Sequence, residues 1–226
     1  MPALTVLLAA AAIRTVVYQF AYDAHGFGGA PSINTYGIVN EGGSFGAGGR
    51  TGQITVNVVE ATPDGGLVVD VGEMIDRAAK PLQTIRCGIY GASTDVVCDQ
   101  NVGSTPEETA LLTFLGREFY DSAKLDRENH WRTEPKFAWG AVKVENDFTV
   151  TSTSGSLLTL AVDHTERAGG YQATEKGTVV YDAPMEIPTS VHLAATAQRA
   201  GSQRDATVDL TLLSDSMAKT ASQTPH

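Results

Sequence analysis

The sequence predicts a mainly β protein of the α+β kind, a strongly curved antiparallel sheet or open barrel of about eleven strands packed on one amphipathic helix. Three observations predict it. Apolar and polar residues alternate with period two along most of the chain, the mark of half-buried strands. The turn signals between these stretches are short, whereas a parallel crossover needs a dozen or more residues, so neighbouring strands must be antiparallel. Only one stretch has both helical spacing and helix caps, and a sheet this wide must curl, split or close. All-β chains of about this length commonly form one domain, so a single β-rich domain over 13–218 is expected.

The first strand is RTVVYQFAYD, which puts Val16, Tyr18, Phe20 and Tyr22 on one face. Residues 26–52 hold ten glycines and no apolar period, so they read as a long loop. A hairpin follows around Thr62-Pro63-Asp64-Gly65, where proline presets φ and glycine tolerates positive φ. It places Ile54, Val56 and Val58 on a shared face with Leu67, Val69 and Val71. The next pair of strands is QTIRCGIYG and TDVVCD. With the turn centred between Ala92 and Ser93, Cys87 lies opposite Cys98, Ile89 opposite Val96 and Ile85 opposite Gln100. Directly opposed residues have Cβ atoms about 4.5 to 5.5 Å apart, and a small pinch reaches the roughly 3.5 to 4.5 Å of a disulfide. A Cys87–Cys98 bond is therefore expected, and it needs an oxidising compartment.

The helix is read over TPEETALLTFLGREFYDS. Thr105 is the N-cap, Pro106 the first helical residue and Glu108 the third, a capping box with acids at the positive end of the dipole. Leu111, Leu112, Leu115 and Phe119 recur at helical spacing, and Phe114 widens the stripe. No second helix of this quality stands in the sequence, so the sheet must receive that face. Strands then return as KFAWGAVKVE, DFTVTST, SLLTLAVDHTER, GYQATEKGTVVYD, TSVHLAATAQ and DATVDLTLL. Their turn signals are Glu145-Asn146-Asp147, Ser154-Gly155, Ala168-Gly169-Gly170 and Ala200-Gly201-Ser202. This order of elements resembles that of the periplasmic lipoprotein-carrier folds, in which an open barrel cradles helices around an apolar cavity. The resemblance is one of element order; no motif of that group stands in this sequence, and it assigns no residue.

A formal charge of −10 with no Lys/Arg run excludes binding to a phosphate backbone or an electrostatic hold on anionic lipid, so no nucleic-acid partner is expected. The apolar run Ala3 to Ile13 is too short for a bilayer, which needs about 20 residues, so no transmembrane span is expected. With Ala10 and Ala12 as a small-x-small pattern, residues 1–12 read as the remnant of a signal peptide that lacks its basic start. That run and the disulfide both place the chain outside the cytosol: secreted, periplasmic or at the cell surface. The polar tail 219–226 is expected to fray.

Little in the sequence carries chemistry. Gly42-Gly43-Ser44-Phe45-Gly46 has the letters of a nucleophile elbow but lies in the glycine loop, not at a strand-to-helix turn. GAGGRT lacks the lysine and the spacing of a phosphate loop. Asp126, Glu128 and His130, in an extended chain, would project to one side and offer two carboxylates and an imidazole to a metal; solvated residues after a helix are the commoner reading. Alternation puts His164 and Glu166 on one face near a strand end, read as solvated edge residues, and His192 reads as a half-buried, hydrogen-bonded histidine. Tyr18, Phe20, Leu111, Leu115, Phe119 and Trp139 are the residues expected to line an apolar pocket, with core packing as the alternative. The chain calls for no cofactor and no metal. The function expected is non-enzymatic, the binding of a lipid or another apolar ligand in a cavity between sheet and helix. The alternative is a cell-surface structural or interaction subunit that meets partners through the glycine loop and an edge strand.

Overall fold

The computed structural model describes residues 12–27, 48–63, 65–89, 96–99, 104–115, 120, 128–133 and 143–217. Outside these residues lie residues 1–11 of the run read above as a signal-peptide remnant, residues 28–47 of the glycine-rich segment, Phe119, Asp126, Trp139 and the tail 219–226.

One antiparallel sheet of eleven strands makes the body of the protein. In chain order these are β1 (Arg14–Phe27), β2 (Arg50–Ala61), β3 (Leu67–Ile75), β4 (Ile85–Ile89) and β5 (Val96–Cys98). Helix α1 (Pro106–Thr113) comes next, then β6 (His130–Thr133), β7 (Lys143–Ser154), β8 (Leu157–Ala168), β9 (Tyr171–Asp182), β10 (Ile187–Arg199) and β11 (Ser202–Asp215). The spatial order is β5-β4-β3-β2-β1-β11-β10-β9-β8-β7-β6. Two meanders, one on each side of α1 in sequence, are thus joined by pairing the first strand with the last. Val16 lies opposite Asp215 and Tyr22 opposite Val208. β5 and β6 stay apart, so the sheet is open and not a closed barrel.

Alternation decides which face is buried. Val16, Tyr18, Phe20, Tyr22 and Ala24 on β1 point inward, as do Ile54, Val56 and Val58 on β2 and Val69 and Val71 on β3. Leu158, Leu160 and Val162 on β8, Val191 and Leu193 on β10 and Val208 and Leu210 on β11 continue the same apolar face. Register shifts at Val17/Tyr18, Val58/Glu60, Val150/Ser152 and Pro188/Ser190 bend the long strands. Pro188 sits at one of them, where its missing N–H breaks no regular ladder.

The hairpin turn and the disulfide follow the sequence reading. Gly65 has φ of 82°, and Thr62 N–H donates to the Gly66 carbonyl at 2.8 Å. Cys87 lies opposite Cys98, bonded to it, and Ile89 lies opposite Val96. The bond ties the three-residue edge strand β5 to β4. Reduction is expected to cost about 2 to 3 kcal/mol, as for a loop of this length. Urea unfolding with and without reductant checks this.

Three readings need correction. Glu145-Asn146-Asp147 is not a turn: β7 runs unbroken from Lys143 to Ser154. Its polar residues looked like a turn because their partners lie on other strands, Asn146 facing His164 and Asp147 facing His130 and Arg132. HWRT is a strand, β6, paired with β7 so that Trp131 lies opposite Phe148, their rings stacked at 5.0 Å. The glycine segment is shorter than 26–52, because Gly26 and Phe27 end β1 and Arg50 to Gly52 begin β2. A Cβ on Gly52 would stand 2.2 Å from the Met74 carbonyl and 2.8 Å from the Phe20 ring, so glycine is there for close packing within a strand.

The helix ends at Thr113 with Phe114 as C-cap, earlier than its periodic stretch. Ala110, Leu111 and Leu112 are buried, and so are the acids Glu107 and Glu108. Among the described residues no helix is long and apolar enough to cross a membrane.

Candidate functional site

Two polar clusters interrupt the apolar inner face, one at each end of α1. An eight-residue helix is about 12 Å long, while the strands it reaches, β3 and β8, are six spacings of about 4.8 Å apart along the sheet. The sheet therefore bends round the helix.

The first cluster forms where α1 begins. Glu73 follows Val69 and Val71 in phase and so points inward, opposite Ile54, and it is completely buried. Arg50, in phase with Ile54, lies opposite Tyr22, with its guanidinium 4.3 Å from that ring centre. It donates to both carboxylate oxygens of Glu107, at 2.6 and 2.5 Å. Thr105 joins helix to sheet: its hydroxyl accepts from the Glu108 N–H at 3.1 Å and donates to Glu73 Oε2 at 2.8 Å. The Thr105 N–H donates back to Glu108 Oε2 at 2.9 Å, completing the capping box.

Burial, aided by the charge of Glu107, pushes the Glu73 carboxyl up to about 8, although the Thr105 hydrogen bond works the other way. Burial likewise pushes Glu108 up to about 7 against the Thr105 N–H. Burial pulls the Arg50 guanidinium down, but Glu107 outweighs it and holds it above its ordinary value. Two oxygens in this region, Glu73 Oε1 and the Tyr22 hydroxyl, are buried without a hydrogen-bond partner. Glu73 is therefore largely neutral at pH 7, beside an ion pair that is largely shut off from water.

Because Thr105 both caps the helix and serves Glu73, Thr105→Ala is expected to cost about 2 kcal/mol, of which about 1 is the cap. Chemical denaturation measures it. A loss of about 1 or less would mean that the Glu73 bond contributes nothing.

The second cluster lies at the far end of α1. Asn146 on β7, His164 and Glu166 on β8 and Glu175 on β9 are all buried and all in the inward phase. His164 Nδ1 faces Asn146 Oδ1, and its Nε2 is 3.2 Å from Glu166 Oε1. Asn146 in turn donates to the Thr133 hydroxyl at 3.3 Å. Burial pulls the imidazole down, but the hydrogen bond to Glu166 and the charges of Glu175 and Asp163 hold it above its ordinary value. With Thr113 and Phe114 from the helix, Asn146, His164, Glu175, Phe148 and Val162 line a cavity of about 10 Å³, room for about one water molecule. Both ring nitrogens are engaged within the protein, so the geometry suits a structural histidine better than a proton-transfer base.

The structure gathers part of the expected pocket set. Tyr18, Phe20, Leu111 and Leu115 are buried in one apolar cluster, and the Tyr18 hydroxyl donates to the Pro188 carbonyl at 2.7 Å. None of the four lines the cavity under Phe114. Beside them, Tyr120 lies against Trp131 and Tyr181, at 5.8 and 6.4 Å between ring centres. Glu128 is exposed, and His130 Nε2 lies 2.9 Å from Asp147, which also takes Arg132 at 2.8 Å. Among the described residues no group of three or more His, Cys, Asp or Glu is placed to hold a metal ion. His164 and Glu166 share a face as alternation implied, yet they are buried rather than solvated. His192 is exposed rather than half-buried, and its Nδ1 lies 2.6 Å from Asp209.

A groove of about 460 Å³ crosses the outer face over β1, β9, β10 and β11. Its polar groups pair among themselves in contact with solvent, as Thr196 does with Asp205 at 2.6 Å and His25 with Asp23 at 2.9 Å, so it lacks the buried polar groups of the inner face. The fold and the site together define a class, an open antiparallel sheet bent round one helix, with a cluster of buried polar groups beside each end of that helix. No protein-family model matches the chain, and no curated protein matches it.

Proposed function

We propose that the protein is a non-enzymatic, extracytoplasmic binding protein that takes a lipid or another apolar ligand between the inner face of the sheet and α1. One observation carries this reading. A single apolar face runs across most of the sheet, and the described helix over it is about 12 Å long. That helix is attached at its start by polar groups, Thr105 to Glu73 and Glu107 to Arg50, which can re-form after opening. A pocket for a lipid-sized ligand measures about 300 to 1,000 Å³, so α1 must lift for the ligand to enter. The Cys87–Cys98 bond supports a location in an oxidising compartment.

The alternative, a surface subunit that adds strands at its edges, is served less well. The described edges are short, three residues in β5 and four in β6, and β5 is stapled by the disulfide. Short edges are how sheets avoid strand addition.

Native mass spectrometry of the purified full chain tests the reading, together with titration by the neutral fluorophore N-phenyl-1-naphthylamine. Co-purified lipid, or binding near one probe per chain, is expected. A folded protein that carries no lipid and leaves the probe dark would overturn it, and a defined multimer without ligand would favour the alternative.

A further inference from the structure

We propose that α1 is a lid latched by a proton: while Glu73 holds its proton the helix start stays tied to β3, and loss of that proton frees it and lets the apolar ligand in. This rests on the reading of the inner face as a ligand site. The geometry makes Glu73 the latch. It stands on β3, fully buried and in the inward phase, and the hydroxyl of Thr105, the cap of α1, donates to its Oε2 at 2.8 Å. Its Oε1 is buried without a hydrogen-bond partner. The titratable groups that act on it are Glu107 and Glu108 from α1 and Arg50 from β2. Arg50 is engaged by Glu107 through two hydrogen bonds, and Glu108 by the Thr105 N–H. With the lid closed, the helix start therefore meets Glu73 with one neutral hydrogen bond and two further carboxyl groups.

A neutral carboxyl group is tolerated in that setting, and a carboxylate is not. One hydroxyl cannot replace the water that an ionised carboxylate loses on burial, and the charge of Glu107 repels it. Burial and that charge accordingly hold the Glu73 proton up to about 8, against an ordinary value of 4.5. Because Thr105 stands on Oε2, lifting the helix start bares that oxygen to water, and a hydrated carboxyl group ionises in its ordinary range. The two events are linked. The closed lid binds the proton more tightly than the open one, so each pH unit between these limits favours opening, by up to about tenfold. Glu108, pushed up to about 7 by burial, acts in the same direction.

The test follows hydrogen exchange of the α1 amides in the full-length protein at pH 6 and pH 8, corrected for the intrinsic pH dependence of exchange, beside the association rate of N-phenyl-1-naphthylamine. α1 is expected to exchange faster than the central strands β1 and β11 at both pH values, and to lose at least about tenfold in protection at pH 8. The probe should associate faster at pH 8 by a similar factor. Glu73→Gln keeps an acceptor for Thr105 and cannot ionise, so it should remove most of the pH dependence from both readouts; should that variant fail to fold, the two profiles of the parent still decide. Equal α1 protection at pH 6 and pH 8 overturns the latch, and if the probe still binds, the proposed function stands. α1 amides that exchange no faster than those of β1 and β11 would mean that the helix opens only with the whole fold, and the lid is refuted. An unchanged pH dependence in Glu73→Gln would overturn the assignment to Glu73. Loss of α1 protection with no probe bound at either pH removes the ligand reading and the gate together.

Discussion

Replacing Arg50 with alanine is expected to lower the free energy of unfolding by about 3 to 5 kcal/mol at neutral pH, the usual cost of breaking a buried ion pair from one side. Glu107 is fully buried, and the Arg50 side chain is 13% exposed, so water cannot take the place of the guanidinium. The variant leaves Glu107 facing Glu73 and Glu108 with no cation in the first cluster as described. Such a patch escapes by taking up protons. The loss should therefore be smaller at pH 5 than at pH 8, and that difference separates an electrostatic cause from simple loss of packing. Arg50→Lys keeps the charge but loses the two-pronged grip on Glu107 and the stacking on Tyr22, so it should restore only part of the stability. Urea unfolding of the three proteins at both pH values measures all of this. A loss under about 1 kcal/mol for Arg50→Ala at pH 8 would mean that the Arg50–Glu107 ion pair does not hold the helix start to the sheet.

The sheet was legible in the sequence because its signal is local. Alternation, hairpin turns and cross-strand cysteines each need only a dozen residues, and Cys87 opposite Cys98 follows from the centre of one turn. The clusters were not legible, because their partners are far apart in the chain. Arg50 and Glu107 are separated by 57 residues, and Arg14 and Asp215, bonded at 2.6 Å near the junction of the two meanders, by 201. A polar residue in the inward phase of a strand looks like noise until its partner is known. That was the available signal all the same: Glu73 after Val69 and Val71, and His164 and Glu166 after Leu158, Leu160 and Val162. β6 was hidden for a related reason. HWRT is short and mostly polar, and pairing with β7 rather than its own composition makes it a strand. Glu107 and Glu108 read as acids at the positive end of the helix dipole, and nothing in the helical spacing shows that both are buried.

Stability itself should fall as pH rises from 5 to 8, the reverse of what depressed carboxylates produce. In the unfolded chain Glu73 and Glu108 ionise near 4.5, whereas in the fold they hold protons up to about 8 and about 7. Between these limits the native state binds more protons than the unfolded state, so unfolding becomes easier with each added pH unit, and the trend flattens above about 8. The groups that face this pair are Thr105 and Glu107 from α1 and Arg50 from β2; the Thr105 hydrogen bonds and Arg50 favour ionisation, and burial and the charge of Glu107 outweigh them. His164, held above its ordinary value by Glu166, acts in the same direction, since its stabilisation is present below about 6.5 and lost as pH rises through its folded value. Asp215, held low by Arg14 despite burial, acts in the opposite direction but only in acid, where its stabilisation disappears as pH falls below its ordinary value. The maximum should thus lie near pH 5, with a fall of several kcal/mol by pH 8. Glu73→Gln removes the largest contribution, so it should flatten the profile and be more stable than the parent at pH 8 while nearly matching it at pH 5. Unfolding midpoints measured across this range give the slope directly. A parent protein that gains stability from pH 5 to pH 8 would show that Glu73 is ionised in the fold, and α1 would then be held down by charge rather than by a shared proton.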